Sequence, residues 1–441
     1  MAEQHFIGID IGSTKLGVAV ASGDPSGGLS YLGHDAVPVA GVKRGAIYDQ
    51  AAFSSSLGDA IKVARAIARR PVADIVVSLS SWLVDAETNQ GQISVDTGYP
   101  IYQPDVDRVI ADSRAAANPQ YQLIHRAVQG FAVNGERMLN PLGRVGRTLN
   151  VWVRDFRIPV TLAEGLQEAA AAFDARIHAM VPASVAAGEA VLRQDERERG
   201  VILLDIGGAI TDIAMYVDGV LFDIGGVEQG GIQITQDLAA VLGIPLDAAE
   251  RVKKLHGIGS LRAMQGLGIE WSPRGIARLQ REAREGTLRR DVPRAIAGAR
   301  YHQLLDDVRK QIESAAPGLQ FHAGVVITGG SADMPGIAEV TRELLQLEVR
   351  CGGILEIDGF PPISDPASSA AVGLVRYCGT RARSGAGARP RRDQTRQMPA
   401  GHFPWRLDDG SGRDEASEGG RQWGRIMRDW MRGFIPARTE I

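Results

Sequence analysis

The chain has 441 residues, of which 44% are hydrophobic and 23% are charged. This is the composition of a folded globular protein, which excludes a mostly disordered chain, and the length suggests two to three domains. A formal net charge of −3 argues against a surface that is basic throughout, so nucleic acid is not an expected partner.

The compartment is predicted to be the cytoplasm. Two cysteines, Cys351 and Cys378, exclude a disulfide scaffold and fit a reducing environment. No run approaches the roughly 20 apolar residues of a membrane-spanning helix. The N-terminal residues MAEQHFIGIDIG show neither the basic region nor the apolar stretch of a secretion signal.

Two distant segments share one pattern. Residues 6–20 read FIGIDIGSTKLGVAV and residues 201–216 read VILLDIGGAITDIAMY. Each is an apolar run that ends in Asp-Ile-Gly and continues through small residues into a second apolar run, which predicts a β-hairpin. The recurring order predicts a duplicated α/β domain. The alternative is two unrelated hairpins that share a common turn.

Further elements follow each hairpin. In the first half, the pattern predicts a strand at 29–39, a helix at 50–68 and a buried strand at 73–79, followed by an irregular inserted region around a helix at 105–117. In the second half, it predicts a strand at 220–227, a charged helical stretch at 274–316 that breaks near Pro293, a strand at 324–328 and a helix at 337–347.

Three glycine turns, each of which follows a predicted strand, are the main indication of function in the sequence. The first is Asp10-Ile-Gly12-Ser13-Thr14-Lys15, the second contains Asp205, Gly207 and Gly208, and the third is Gly329-Gly330-Ser331. Such turns expose backbone amides that cradle phosphate, and a carboxylate can hold hydrated Mg²⁺. We expect a nucleotide between the two related domains, with Asp10 and Asp205 holding Mg²⁺ through water. Glycines that only shape turns are the alternative.

The C-terminal region changes character. Residues 379–420 are rich in Gly, Arg, Ser and Pro and are expected to form a flexible linker. Residues 421–436 then predict an amphipathic helix with arginines beside one apolar stripe, as in helices that lie in a membrane interface. Docking of this helix back onto the core is the alternative. The residues expected at the membrane are Trp423, Ile426, Met427, Trp430, Met431, Phe434, Arg425, Arg428 and Arg432.

Several longer motifs resemble those of the FtsA family, a branch of the superfamily of actin, heat-shock chaperones and sugar kinases. They are GVKRGAIYD at 41–49, HRAVQGFAVNG at 125–135, NPLGRVGRTL at 140–149 and the DP…AVGL ending at 365–374. The resemblance implies an α/β, actin-like ATPase fold with two duplicated RNase H-like domains flanking a nucleotide cleft and an inserted 1C subdomain. It also implies nucleotide-binding roles for Thr211, Gly230, Gly231, Glu250 and Lys253.

The resemblance also implies a domain map. We expect subdomain 1A at 1–84 and 166–200, the 1C-like insert at 85–165, and domain 2 at 201–378 with its 2B subdomain at about 236–316. By the same resemblance, the chain would be a peripheral protein on the cytoplasmic face of the membrane at the division site. It would bind ATP and Mg²⁺, polymerise, and link filaments of FtsZ to the membrane by binding the FtsZ C-terminal tail. A PilM-like pilus-assembly protein and a sugar kinase are the alternatives.

The second glycine turn departs from the family pattern DxGGGTTD. Ala209 replaces a glycine and Ile210 a threonine, and Ile232 stands where the later motif has a polar residue. The glutamate expected before the second hairpin is missing, because Glu189 is out of register. We therefore expect weakened nucleotide binding and slow or absent hydrolysis, and no catalytic residue is assigned.

Overall fold

The computed structural model describes residues 4–23, 29–113, 118–260, 272–356 and 360–385. The strands are β1 (Gln4–Ile11), β2 (Lys15–Gly23), β3 (Leu29–Pro38), β4 (Val42–Lys43), β5 (Ala46–Ile47), β6 (Asp74–Leu79), β7 (Asp85–Ser94), β8 (Tyr121–Val133), β9 (Glu136–Met138), β10 (Thr148–Pro159), β11 (Arg176–Pro182), β12 (Val201–Ile206), β13 (Thr211–Val217), β14 (Val220–Val227), β15 (Val325–Thr328) and β16 (Val349–Cys351). The helices are α1 (Gln50–Ala68), α2 (Gln103–Asp112), α3 (Val160–Ala171), α4 (Ala183–Val191), α5 (Gln194–Arg199), α6 (Gly231–Leu242), α7 (Leu246–His256), α8 (Pro273–Glu285), α9 (Asp291–Ala315), α10 (Ile337–Leu345) and α11 (Ser369–Gly385).

Two five-stranded sheets, the first in domain 1 and the second in domain 2, repeat one topology. The first has the order β11-β6-β1-β2-β3 and the second the order β16-β15-β12-β13-β14. In each, an antiparallel hairpin is followed by a third antiparallel strand, and two parallel strands extend the other side. This repetition confirms the predicted duplicated α/β fold, and the alternative of two unrelated hairpins is wrong.

The two domains share part of their hydrophobic core. Helices α4 and α11 cross between the sheets, and buried residues of both helices pack in one cluster with residues of β2, β12 and β13. A Cβ atom on Gly373 of α11 would lie 1.7 Å from the Ala186 carbonyl oxygen of α4, so only glycine permits this crossing distance. The helix pair therefore joins the two domains through a shared core.

The inserted region is a separate small layer. Its sheet has the order β7-β10-β8-β9, and α2 packs on it with a core of its own. The insert also contacts domain 2. The Arg154 guanidinium pairs with the Asp223 carboxylate of β14 at 2.9 Å, and Gln129 Nε2 donates to the Phe222 carbonyl at 2.7 Å.

The predicted elements largely match those in the structure, and two differ. The helix predicted at 105–117 spans Gln103–Asp112, and residues 114–117 lie outside the described part. The break predicted near Pro293 is present but lies at residues 286–290, between the end of α8 and the start of α9, and Gly286 there adopts a left-handed conformation. Pro293 lies in the first turn of α9, where its missing N–H has no helical partner to lose.

The linker predicted from residue 379 begins later, because residues 379–385 form the end of α11. The rest of the linker and the membrane helix predicted at 421–436 lie outside the described residues, which end at residue 385. Both therefore stay predictions from the sequence. Among helices in the described ranges, none has the length and apolar character needed to cross a membrane.

Candidate functional site

The turns of the two repeated hairpins face each other. Each turn is closed by the same backbone hydrogen bond, from Gly12 N to Lys15 O at 3.2 Å and from Gly207 N to Ile210 O at 2.9 Å. A Cβ atom on Gly208 would lie 2.7 Å from Cγ2 of Thr14, so the second turn approaches the first to van der Waals distance. Glycine at 208 is what allows this approach.

Three carboxylates converge behind the turns. Asp10 accepts a hydrogen bond from Ser78 Oγ at 2.6 Å, and Asp212 accepts from Ser80 Oγ at 2.8 Å. Asp205 and Asp212 are partners across the hairpin, so their side chains lie on the same face of the sheet. Asp212 ends the sequence motif that begins with Asp205, but it was not among the predicted site residues.

Burial shifts the titration of all three acids. It raises the pKa of Asp10, and it raises the pKa of Asp205 well above the ordinary value, with the neighbouring charges of Asp212 and Asp10 adding to the effect. Burial also raises the pKa of Asp212 to about 7, although hydrogen bonds from Ser80 and Ser81 lower it. The carboxylates therefore repel one another in a region that a cation would stabilise.

The third glycine turn closes on the second. Gly329 has a φ of +91°, and a Cβ atom there would lie 2.2 Å from Asp205 Oδ1, so only glycine fits. Ser331 N donates to the Ile206 carbonyl at 3.0 Å, and Ser331 Oγ donates to the Gly207 carbonyl at 3.3 Å. The structure thus brings the predicted residues of both turns into one cluster.

A buried lysine joins this cluster from α7. Lys253 Nζ lies 2.7 Å from Glu250 Oε2 and donates to Thr235 Oγ1 at 3.0 Å and to the Gly231 carbonyl at 3.1 Å. Burial lowers the pKa of Lys253, whereas Lys253 and Thr235 lower the pKa of Glu250 against the opposing effect of burial. A Cβ atom on Gly231 would lie 2.3 Å from Ser331 Oγ, so a larger residue at the start of α6 would collide with Ser331.

The second turn is also fixed to the start of α6. Gly231 N donates to the Gly207 carbonyl at 3.0 Å and Ile232 N to the Gly208 carbonyl at 2.7 Å. A Cβ atom on Gly230 would lie 2.6 Å from both carbonyl oxygens. Thr211, predicted to contact nucleotide, is fully buried and donates to the Gln229 carbonyl at 2.8 Å. Its hydroxyl is thus already used within domain 2.

The departures from the family pattern have different structural consequences. Ala209 is not among the described residues with positive φ, so its methyl group causes no backbone strain. Ile210 is 5% exposed, and its side chain approaches Gly45 of domain 1. Glu189 pairs with Arg197 at 2.9 Å.

The acids suit a cation held through water better than one held directly. The described residues contain no group of three or more His, Cys, Asp or Glu side chains arranged to ligate a metal. Mg²⁺ usually keeps several waters and takes one or two carboxylates, so Asp10 and Asp205 fit such a hydrated ion. Burial and the neighbouring charges of Asp212 and Asp10 raise the pKa of Asp205, and a cation in this place would oppose that shift.

A comparison with solved structures supports the fold. A chain of the PilM-PilN type IV pilus biogenesis complex matches with a TM-score of 0.54 and 16% sequence identity, covering 85% of this chain and 98% of that chain. At this identity the likeness concerns the architecture alone. It agrees with the actin-like fold that the family resemblance implied.

Sequence comparisons identify the family. The family model "Cell division protein FtsA" matches residues 202–373, and "SHS2 domain inserted in FTSA" matches residues 83–154. FtsA of Neisseria meningitidis serogroup B is 27% identical over 378 residues, covering 85% of this chain and 90% of its own length. FtsA of Escherichia coli K12 is 27% identical over 383 residues, covering 84% and 89%. Both the duplicated core and the insert match, and the chain belongs to the FtsA family of cell division proteins.

Proposed function

We propose that the chain binds ATP, together with Mg²⁺, between its two domains. The observation that carries this proposal is the convergence of three glycine turns on one cluster, with Lys15 on the first turn and the buried Lys253 beside the third. Opposed turns of this kind offer backbone amides to phosphates, and Lys15 adds positive charge. Glu250 and Lys253 would border the adenosine.

Binding can be tested with a fluorescent ATP analogue and the full chain. Lys253→Ala should weaken binding at least tenfold, because it removes the group that joins Glu250, Thr235 and the start of α6. Lys254→Ala is the matched control, since the Lys254 side chain is 68% exposed and lies 3.6 Å from the same glutamate. Equal affinities for both variants would contradict this placement, provided that circular dichroism shows both to be folded.

We propose that hydrolysis is slow or absent. The residue that replaces the family's threonine, Ile210, carries no hydroxyl and packs on domain 1, and the Thr211 hydroxyl is bonded to Gln229. The second turn therefore lacks the polar side chains that would position a water near the terminal phosphate. Phosphate release by the purified chain should stay near background, and rapid turnover would refute the proposal.

We also propose that the chain acts as a membrane-anchored, polymerising adaptor for FtsZ. The support is its family and, for the membrane, the amphipathic pattern of residues 421–436. Charged replacements of Trp430 and Phe434 should release the chain from anionic liposomes in a co-sedimentation assay. In cells, a division-site band of a fluorescent fusion should be lost when residues 421–441 are removed. Unchanged sedimentation would contradict the anchoring proposal.

The proposed FtsZ contact involves the 2B region. Helix α8 buries Ile276 and Leu279 and exposes arginines, among them Arg278 and Arg281. Such a face suits a peptide that carries acidic residues. Charge reversal at Arg278 and Arg281 should weaken binding of the FtsZ C-terminal peptide in an anisotropy assay, whereas reversal of the exposed Arg108 on the insert should not. Equal effects would argue against this face.

A further inference from the structure

Direct contacts join the two domains beside the glycine turns. The short 3₁₀ turn Ser81–Leu83, which follows β6 of domain 1, meets β13 of domain 2. Asp212 Oδ1 accepts from Ser80 Oγ at 2.8 Å and from Ser81 N at 2.7 Å, and both bonds are buried. One carboxylate oxygen of domain 2 is therefore held by two donors of domain 1.

An apolar contact lies next to these hydrogen bonds. A Cβ atom on Gly45, in the β4–β5 turn, would lie 2.9 Å from Cδ1 of Ile210 and 3.3 Å from Cβ of Ser80. The Ile210 side chain thus fits closely against Gly45, whose φ of +76° also favours glycine. Because Ile210 is almost fully buried, its apolar surface is covered by this approach to domain 1.

Two further contacts continue along the same boundary. The backbone of Gly226 on β14 approaches Trp82 so closely that a Cβ atom would lie 3.1 Å from both N and Cβ of Trp82. At the surface, Arg44 pairs with Glu228 at 3.3 Å. The exposed ion pair adds little stability, so the buried contacts of Asp212 and Ile210 dominate.

We propose that Gly45, Ser80, Ser81, Ile210 and Asp212 form a latch that fastens domain 1 to domain 2 across the cleft. Ser81 Oγ also shares a hydrogen bond with Ser184 Oγ of α4 at 2.7 Å, so the latch lies beside the start of one helix of the crossing pair. Rotation about the helix crossing must break the two hydrogen bonds and expose Ile210 together. The latch would therefore hold the domains in one relative orientation whether or not a ligand is bound.

The test measures domain orientation in the full chain without nucleotide. Spin labels at Lys62→Cys on α1 and Arg251→Cys on α7, both exposed, report the distance between the domains in a background with Cys351→Ser and Cys378→Ser. With the latch intact, the distance distribution should have one narrow population. The double variant Ser80→Ala, Ile210→Thr should broaden it at least twofold.

Ile232→Thr is the matched control. It removes the same apolar group from a residue of domain 2 whose Cδ1 would lie 3.3 Å from a Cβ atom on Gly208. The control should keep the narrow distribution. A distribution that is already broad with the latch intact, or equal broadening by the control, would overturn the proposal, as would an unchanged double variant. Since no nucleotide is present, the result does not depend on whether the chain binds ATP.

Discussion

Replacing Asp212 with asparagine should stabilise the protein at alkaline pH. Burial raises the pKa of this carboxyl from 3.8 to about 7, so the folded protein is less stable when Asp212 is ionised. At about 1.4 kcal/mol per pH unit, the difference between the two protonation states amounts to at most ~4 kcal/mol. Asparagine carries no charge, and its Oδ1 can still accept the hydrogen bonds from Ser80 and Ser81.

The direction with pH follows from the raised pKa. Well below pH 4, Asp212 is protonated in both the folded and the unfolded chain, and the substitution should change stability little. Between pH 4 and about 7 the unfolded chain releases this proton first, so the wild-type protein loses stability as the pH rises. The advantage of Asp212→Asn should therefore grow through this window and reach ~1–4 kcal/mol at pH 8.

The assay is thermal unfolding of both proteins in EDTA across pH 4–8. At roughly 2 °C per kcal/mol for a large domain, the variant should melt about 2–8 °C higher at pH 8 and close to wild type at pH 4. Asp59→Asn is the control, since Asp59 is exposed and pairs with Lys62 on the surface. A variant that is less stable than wild type at pH 8 would refute the argument that burial outweighs the two hydrogen bonds.

Two substitutions test how the parts of the molecule are joined. Arg154→Ala leaves the buried Asp223 carboxylate without its partner between the insert and domain 2, and it should lower the free energy of unfolding in urea by about 3 kcal/mol. Arg157→Ala removes more exposed ion pairs and should lower it by under ~1 kcal/mol. Gly373→Ala should sharply lower the soluble yield and the melting temperature, because its methyl group would overlap α4. Gly165→Ala is the control and should lower both less, because its methyl group would meet only the end of the Gln50 side chain at 3.4 Å. Equal losses within either pair would contradict the packing described.

The duplicated fold was predictable because its signals are local. An apolar run, an Asp-Ile-Gly turn and a second apolar run specify a hairpin from neighbouring residues alone, and the copy at 201–216 supplies the second domain. Helix α1 was predicted with its correct bounds because Asp49 accepts from Ala52 N as its N-cap and the apolar positions recur at helical spacing. The break predicted near Pro293 lies a few residues earlier, because a proline in the first helical turn is tolerated.

The roles of Thr211 and Asp212 could not be predicted from the neighbouring residues alone. Strand alternation places adjacent residues on opposite faces, so the two side chains cannot both face the cleft. The pairing of Asp212 with Asp205 settles which one does, and Thr211 instead bonds to Gln229. The partners of Asp212 could not be read from its neighbours, because Ser80 and Ser81 are more than 100 positions away in the chain.

A single side chain connects the two unusual properties proposed for this cleft. Ile210 stands where the family pattern has a threonine, and it brings a buried apolar contact with domain 1 in place of a hydroxyl group. Weak hydrolysis and a fastened domain orientation then have one physical cause. Ile210→Thr alone should loosen the latch and broaden the distance distribution between the domains. The rate of ATP turnover should rise only slightly, since the new hydroxyl does not restore a glycine at Ala209. A variant that gained turnover with no change in domain mobility would separate the two properties and remove the shared explanation.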